Sequence, residues 1–154
     1  MKLTPSKLNS YLFMKLPAAY WTGVRVKEIS SVKCISTVKY RWVNQNPFRS
    51  MYFAVQAMAA ELSTGALVMD HIQASKANIS MLVAQNNSRF TKKAVGRIYF
   101  ECADGEKVQL AIKEAIATGE GQTFWMQSIG RNQNNEVVSE MNFEWTIKVK
   151  PPKK

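Results

Sequence analysis

At 154 residues, the chain is the size of one domain and can bury a sizeable core. A hydrophobic fraction of 46% with 10% aromatics excludes global disorder, and no apolar run reaches the roughly 20 residues of a membrane helix. The net charge of +10 favours an anionic partner without choosing among nucleic acid, the phosphates of a coenzyme and an acidic carrier protein.

Thr4-Pro5 is a helix-start signal, a side-chain N-cap followed by proline at the first helical position. Leu8, Tyr11 and Leu12 then make one apolar stripe, which ends before Pro17. Residues 11–20 have a faint look of a secretory leader, but Lys15 and Pro17 break the apolar run and no small-residue cleavage pattern follows. The segment reads as a mature N-terminus. Alternation then predicts two strands joined at Ser30-Ser31. In the first, Val24 and Val26 alternate with Arg25 and Lys27. In the second, Val32, Cys34, Ser36, Val38, Tyr40 and Trp42 face the core, opposite Lys33, Ile35, Thr37, Lys39 and Arg41.

Asn46-Pro47 repeats the N-cap and proline pattern and predicts a helix over 48–64, stopped by Gly65. Only Arg49, Gln56 and Glu61 interrupt its apolar interior. A helix apolar nearly all round is a buried helix, best enclosed by a sheet. Residues 66–77 are ambiguous between helix and strand, whereas 79–85 and 96–102 read as strands. Asp104 opens a third helix in which Val108, Ile112 and Ile116 recur until Gly119. Residues 122–131 and 136–150 form a hairpin through Asn132-Gln133-Asn134-Asn135. Val137, Met141, Phe143, Trp145, Ile147 and Val149 line one of its faces. The expected class is α+β, with about six antiparallel strands curled around one long helix. Residues 1–150 form a single domain, and 151–154 a frayed basic tail.

Catalytic signatures are sparse. His71 is the one histidine and reads as a polar residue in a connection, so no metal site is expected. Cys34 and Cys102 read as buried, reduced thiols of a cytoplasmic protein. Gly119-Glu120-Gly121 lacks the strand-before, helix-after setting of a phosphate loop. Lys39-Tyr40-Arg41-Trp42 and Arg97-Ile98-Tyr99-Phe100 interleave cations with aromatics, but adjacent strand residues point to opposite faces. Nucleic acid is therefore not the expected partner, since a binding platform needs both on one face. Glu61 has two readings. Either the last helical turn emerges into water and solvates it, or it is a cleft carboxylate with a raised pKa, serving as base or nucleophile.

The run Asn46-Pro47-Phe48-Arg49-Ser50-Met51-Tyr52-Phe53-Ala54-Val55-Gln56-Ala57-Met58-Ala59-Ala60-Glu61 resembles the central helix of the hotdog-fold acyl-CoA thioesterases. The phenylacetate-pathway (PaaI-like) group, in an uncharacterised branch, is the nearest. The resemblance covers roughly residues 20–150 and implies a hotdog fold. In that family an amide residue opens the helix and a carboxylate follows fifteen positions on, as Asn46 and Glu61 do here. The family's His-Gly-Gly falls at Tyr52-Phe53-Ala54, where all three residues differ. By resemblance, Glu61 activates water or attacks the thioester carbonyl, and the Phe53 backbone N–H and Asn46, from the other subunit, polarise that carbonyl and orient the nucleophile, with Thr91, or else Asn87 or Ser88, bonding from a later strand. Tyr52 is expected to line the substrate site. Charge and position, not the resemblance, make Arg89, Lys92, Lys93 and Arg97 candidates for the coenzyme's phosphates, the alternative being a solvated basic edge.

On one continuous helix, Asn46 and Glu61 would lie about 22 Å apart and Phe53 and Glu61 about 12 Å apart. A shared site then needs two subunits. The resemblance thus implies a homodimer, or a tetramer of dimers, hydrolysing an acyl-CoA or acyl-carrier thioester, with no cofactor beyond the coenzyme A of the substrate. A non-catalytic module that binds acyl-CoA or an acyl-carrier protein is the alternative.

Overall fold

The computed structural model describes residues 3–151, so Lys153 and Lys154 of the expected tail lie outside the described residues. The first helix, α1 (Pro5–Lys15), starts as predicted, with the Lys7 N–H donating to Thr4 Oγ1 at 3.4 Å. Leu8 and Leu12 are buried beneath it, whereas Tyr11 of the expected stripe stays exposed. Pro17 opens a second short helix, α2 (Pro17–Trp21). Two strands follow, β1 (Arg25–Ile29) and β2 (Cys34–Lys39), paired antiparallel across the Ser30-Ser31 turn. Asn9 ties α1 to the outer edge of β1. Its Nδ2 donates to the Val26 carbonyl at 3.0 Å, and its Oδ1 accepts from the Val26 N–H at 2.8 Å.

The second strand is shorter than the alternation suggests. Asn44 accepts from the Arg41 N–H at 2.8 Å and donates to the carbonyls of Lys39 and Thr22, each at 2.9 Å. These bonds wind Trp42–Asn44 into a 3-10 turn, leaving Trp42 84% exposed instead of in the core. Val32, also expected inside, is exposed at the turn.

The long helix, α3 (Phe53–Ser75), differs from expectation at both ends. Asn46 does cap backbone N–H groups, accepting from Phe48 at 2.9 Å and Ser50 at 3.3 Å, but Arg49 then takes φ 58° and turns the chain. The helix begins seven residues after Asn46. Nor does Gly65 stop it. A Cβ there would lie 3.2 Å from Trp145 Cη2, so the glycine admits a close ring contact. Lys76, in the left-handed conformation at φ 58°, ends the helix. The ambiguous 66–77 stretch is therefore almost wholly helical, and His71 sits in α3, buried, with Nε2 2.8 Å from the Ser31 carbonyl oxygen.

The remaining elements are β3 (Ile79–Phe90), β4 (Arg97–Cys102), α4 (Gly105–Thr118), β5 (Gln122–Arg131) and β6 (Val137–Val149). The six strands form one antiparallel sheet in the order β1-β2-β4-β5-β6-β3. The sheet curls around α3, which packs on β1, β2, β4, β5 and β6, while α4 closes beside it. Phe100, Met126, Met141, Phe143, Trp145 and Ile147 fill the space between sheet and helix. Cys34 and Cys102 sit opposite one another on β2 and β4 as free, buried thiols, and burial pushes each up to about 12. In α4, Val108 and Ile112 are buried as expected, but Ile116 is exposed.

The edge strand β3 is anomalous. It is 12 residues long, pairs among the described residues only with β6, and is exposed on both faces from residue 84 to residue 90. A half-buried strand should alternate. One lying bare on both faces, with a free edge, is a surface that invites pairing.

Candidate active site

The start of α3 shapes a recess of about 530 Å³, lined by Asn46, Met51, Tyr52, Phe53, Gln56, Phe90, Thr91, Lys92 and Lys93, among others. Phe53 is the first helical residue, and no side chain caps the helix. The first N–H groups of a helix have no intrahelical partner, so the Phe53 N–H remains available at this recess. The local field there favours negative charge, as an oxyanion requires. The Phe53 ring is 56% exposed and packs edge-on against Tyr52 and Phe90, with centroids 5.0 and 6.3 Å away.

Asn46 lies in this recess, but its amide is engaged in its own loop. Besides accepting from Phe48 and Ser50, it donates to Ser50 Oγ at 3.0 Å and to the Met51 carbonyl at 3.4 Å. Because the intervening chain is a loop, the 22 Å separation worked from helical rise does not apply between Asn46 and Glu61. The rise between Phe53 and Glu61, about 12 Å, does. Thr91 donates its hydroxyl to the Val137 carbonyl at 3.0 Å. Lys92 pairs with Glu136, and Lys93 donates to the Phe48 carbonyl at 3.1 Å. Asn87, Ser88 and Arg89 lie along exposed β3, where Asn87 accepts from Asn142 at 2.8 Å. Arg97 is separate, on β4, with Nη1 3.5 Å from Thr37 Oγ1.

Gln56 escaped the sequence reading as a site residue, although it breaks the apolar helix in the way Glu61 does. It is 4% exposed, lines the recess, and its Oε1 has no hydrogen-bond partner among the described residues.

Glu61 stands apart from this recess. It is the ninth of the 23 residues of α3, so it lies mid-helix and not in the last turn. The helix C-terminal dipole therefore has little hold on it, and burial alone pushes its carboxyl up to about 7. The carboxylate reaches one turn on along the helix, where a Cβ at Gly65 would lie 3.2 Å from Oε1. No ion pair or hydrogen bond to the carboxylate occurs among the described residues. Its other surroundings are Met58 and Leu62 from α3, and Leu12, Lys15, Leu16, Pro17, Ala18 and Ala19 from the N-terminal helices. Within one chain, the free N–H and the buried carboxylate thus occupy separate recesses.

This architecture is the hotdog fold, as the sequence resemblance implies. A protein of unknown function from Pseudomonas aeruginosa, named a probable thioesterase, superposes with a TM-score of 0.81 at 22% identity, over 97% of this chain and 99% of that one. A protein of unknown function from Chlorobaculum tepidum gives 0.83 at 17% identity, over 97% and 99%. A thioesterase from Haemophilus influenzae gives 0.72 at 11%, over 97% and 93%. No curated protein matches the chain. Residues 6–147 match the model of the domain of unknown function DUF4442, and the chain belongs to that family. No helix among the described residues is long and apolar enough to cross a membrane.

Proposed function

We propose that the chain is a homodimeric thioesterase that hydrolyses an acyl-CoA or acyl-carrier thioester at sites shared between two subunits. The observation that carries this reading is Glu61, a carboxylate in a mainly apolar recess that Lys15 also lines, in no ion pair among the described residues, with its pKa raised to about 7 by burial. Such a group gains as a base near pH 7, where an ordinary carboxylate is too weak to take a proton effectively. In the mechanism, Glu61 takes a proton from water as the water oxygen adds to the thioester carbonyl carbon. The backbone N–H of Phe53 of the partner subunit, at the positive end of its helix, stabilises the oxyanion. The carbon–sulfur bond then breaks, and the thiolate leaves with the proton returned from Glu61. Direct attack by the carboxylate is the variant of this scheme.

Two observations support pairing of subunits. The free edge of β3 is bare on both faces, and Tyr52, Phe53, Leu82 and Phe90 expose large apolar groups. Pairing β3 with its counterpart would continue the sheet and cover such groups. In the dimer, Asn46 shapes the loop that leads to Phe53, and Thr91 lines the same recess. Lys93 and Arg89 offer positive charge for the coenzyme's phosphates, while Lys92 is paired with Glu136.

A second reading, a non-catalytic acyl-binding module, is favoured by the Phe53 ring, whose bulk stands beside the donor. A thiol-release screen over an acyl-CoA panel, with light scattering on the same sample, tests the proposal. A dimer releasing thiol is expected. A monomer at micromolar concentration would remove the shared site, and a dimer that binds acyl-CoA without releasing thiol would establish the module.

A further inference from the structure

The recess that holds Glu61 is a space of about 220 Å³ between α3 and the α1–α2 corner. Its walls have a specific origin. Pro17 ends α1 and starts α2, and the corner Leu16-Pro17-Ala18-Ala19 passes over Met58 and Leu62. Alanines at 18 and 19 leave room that larger side chains would close. Apart from Glu61 and Lys15, the lining is aliphatic, with Met58 as an adaptable thioether.

The wall is anchored and not a loose flap. Asn9 clamps α1 to β1 through two hydrogen bonds. Arg25 donates to the Tyr20 carbonyl at 2.8 Å and lies 3.6 Å over the Tyr20 ring, holding α2. Thr22 donates back to the Ala18 carbonyl at 2.9 Å. The space is therefore built into the fold, with a carboxylate in its wall and nothing in the described chain to fill it.

We infer that this recess is the acyl-chain site and that it takes an unbranched, medium-length aliphatic chain, with the thioester carbonyl beside Glu61. The inference rests on the thioesterase reading for the position of the carbonyl, and on the recess itself for the chain. At about 30 Å³ for a water-sized group, the space holds roughly seven methylene-sized groups. The lining carries no aromatic face to stack an aryl group and no amide or hydroxyl side chain to recognise a polar substituent. A straight chain buries only methylenes there, each tightening binding by about fourfold.

The test uses S-alkyl-CoA thioethers, which cannot be hydrolysed, with chains of two to fourteen carbons, titrated calorimetrically against the full chain. Affinity should rise by a few-fold per methylene to about eight carbons and then level off. Ala18→Phe, at an exposed wall position, should move the plateau to shorter chains by several carbons, with melting temperature and oligomeric state unchanged. Should Ala18→Phe fail to fold, Met58→Phe fills the same space from the other wall and should shift the plateau likewise. Affinity independent of chain length, or a plateau that neither substitution moves, would overturn the inference. Parallel thiol-release assays separate the two proposals. A chain-length plateau without turnover leaves the acyl site standing and removes hydrolysis. Turnover with flat chain-length dependence does the reverse.

Discussion

Replacing Glu61 by glutamine should stabilise the protein, and by an amount that depends on pH. The carboxyl is raised from an ordinary 4.5 to about 7 by burial, so its ionised form is the one the fold disfavours. A folded-state pKa above the unfolded value gives stability that is fully present below about pH 4.5 and is lost as pH rises through about 7. At 1.36 kcal/mol per unit, the loss is at most about 3 kcal/mol by pH 8. The side chain keeps some solvent contact, which lowers this toward about 1–2 kcal/mol. Glutamine keeps the size of the protonated acid and carries no charge, so Glu61→Gln escapes the loss. Its melting temperature should match the parent near pH 4.5 and exceed it by several degrees at pH 8, at about 2–4 °C per kcal/mol for a chain of this length. Melting both proteins between pH 4.5 and 8 checks this. A difference that stays flat across the range would show a solvated carboxylate. A variant less stable than the parent at pH 8 would show that the charge has a stabilising partner, and either result would refute the burial argument.

Phe53 gives a clean backbone test, because it is the first residue of α3 and Tyr52 before it sits at φ −59°, ψ 134°. That conformation suits a residue preceding proline, and the first helical position tolerates proline well. Phe53→Pro should therefore remove the N–H donor with little loss of helix, lowering turnover by tenfold or more, whereas Phe53→Ala keeps the donor and much of the activity. Loss of turnover in a folded, dimeric Phe53→Ala would assign the role to the side chain. Thr64 Oγ1 accepts from Trp145 Nε1 at 2.9 Å inside the core. Thr64→Val strands that buried donor and should cost about 1–3 kcal/mol by chemical denaturation, and a neutral result would show that the ring finds another acceptor.

Much of this was legible in the sequence for physical reasons that can be named. The long apolar run could be stable only inside a sheet, and the strand alternation of 137–149 survives in the burial of Met141, Phe143, Trp145 and Ile147. The ends of α3 were not legible. Asn46-Pro47 carries a cap signal that the structure uses for a turn, because Arg49 at φ 58° redirects the chain. Gly65 carries a stop signal that the structure uses for packing, because Trp145 and Glu61 crowd the space a Cβ would take. Both are local signals overridden by tertiary contacts. The error at the second end mattered for chemistry: it placed Glu61 near a helix terminus, when its perturbation comes from burial beneath α1 and α2. Those two helices lie some 40–55 residues upstream in the chain, so no local pattern around Glu61 could reveal what covers it. Gln56 carried the same signal as Glu61, a polar group in an apolar helix, and its unpaired Oε1 emerged only with the recess in view.

The central claim, that Glu61 is the catalytic base, is tested most directly by thiol release from acyl-CoA substrates, parent beside Glu61→Gln. Both proteins should first be shown to be folded and in the same oligomeric state. Glutamine can still hydrogen-bond to water but cannot take its proton. The account predicts a fall in turnover of about a hundredfold or more, the scale of lost acid–base catalysis, with acyl-CoA binding retained. Turnover within a few-fold of the parent would contradict it.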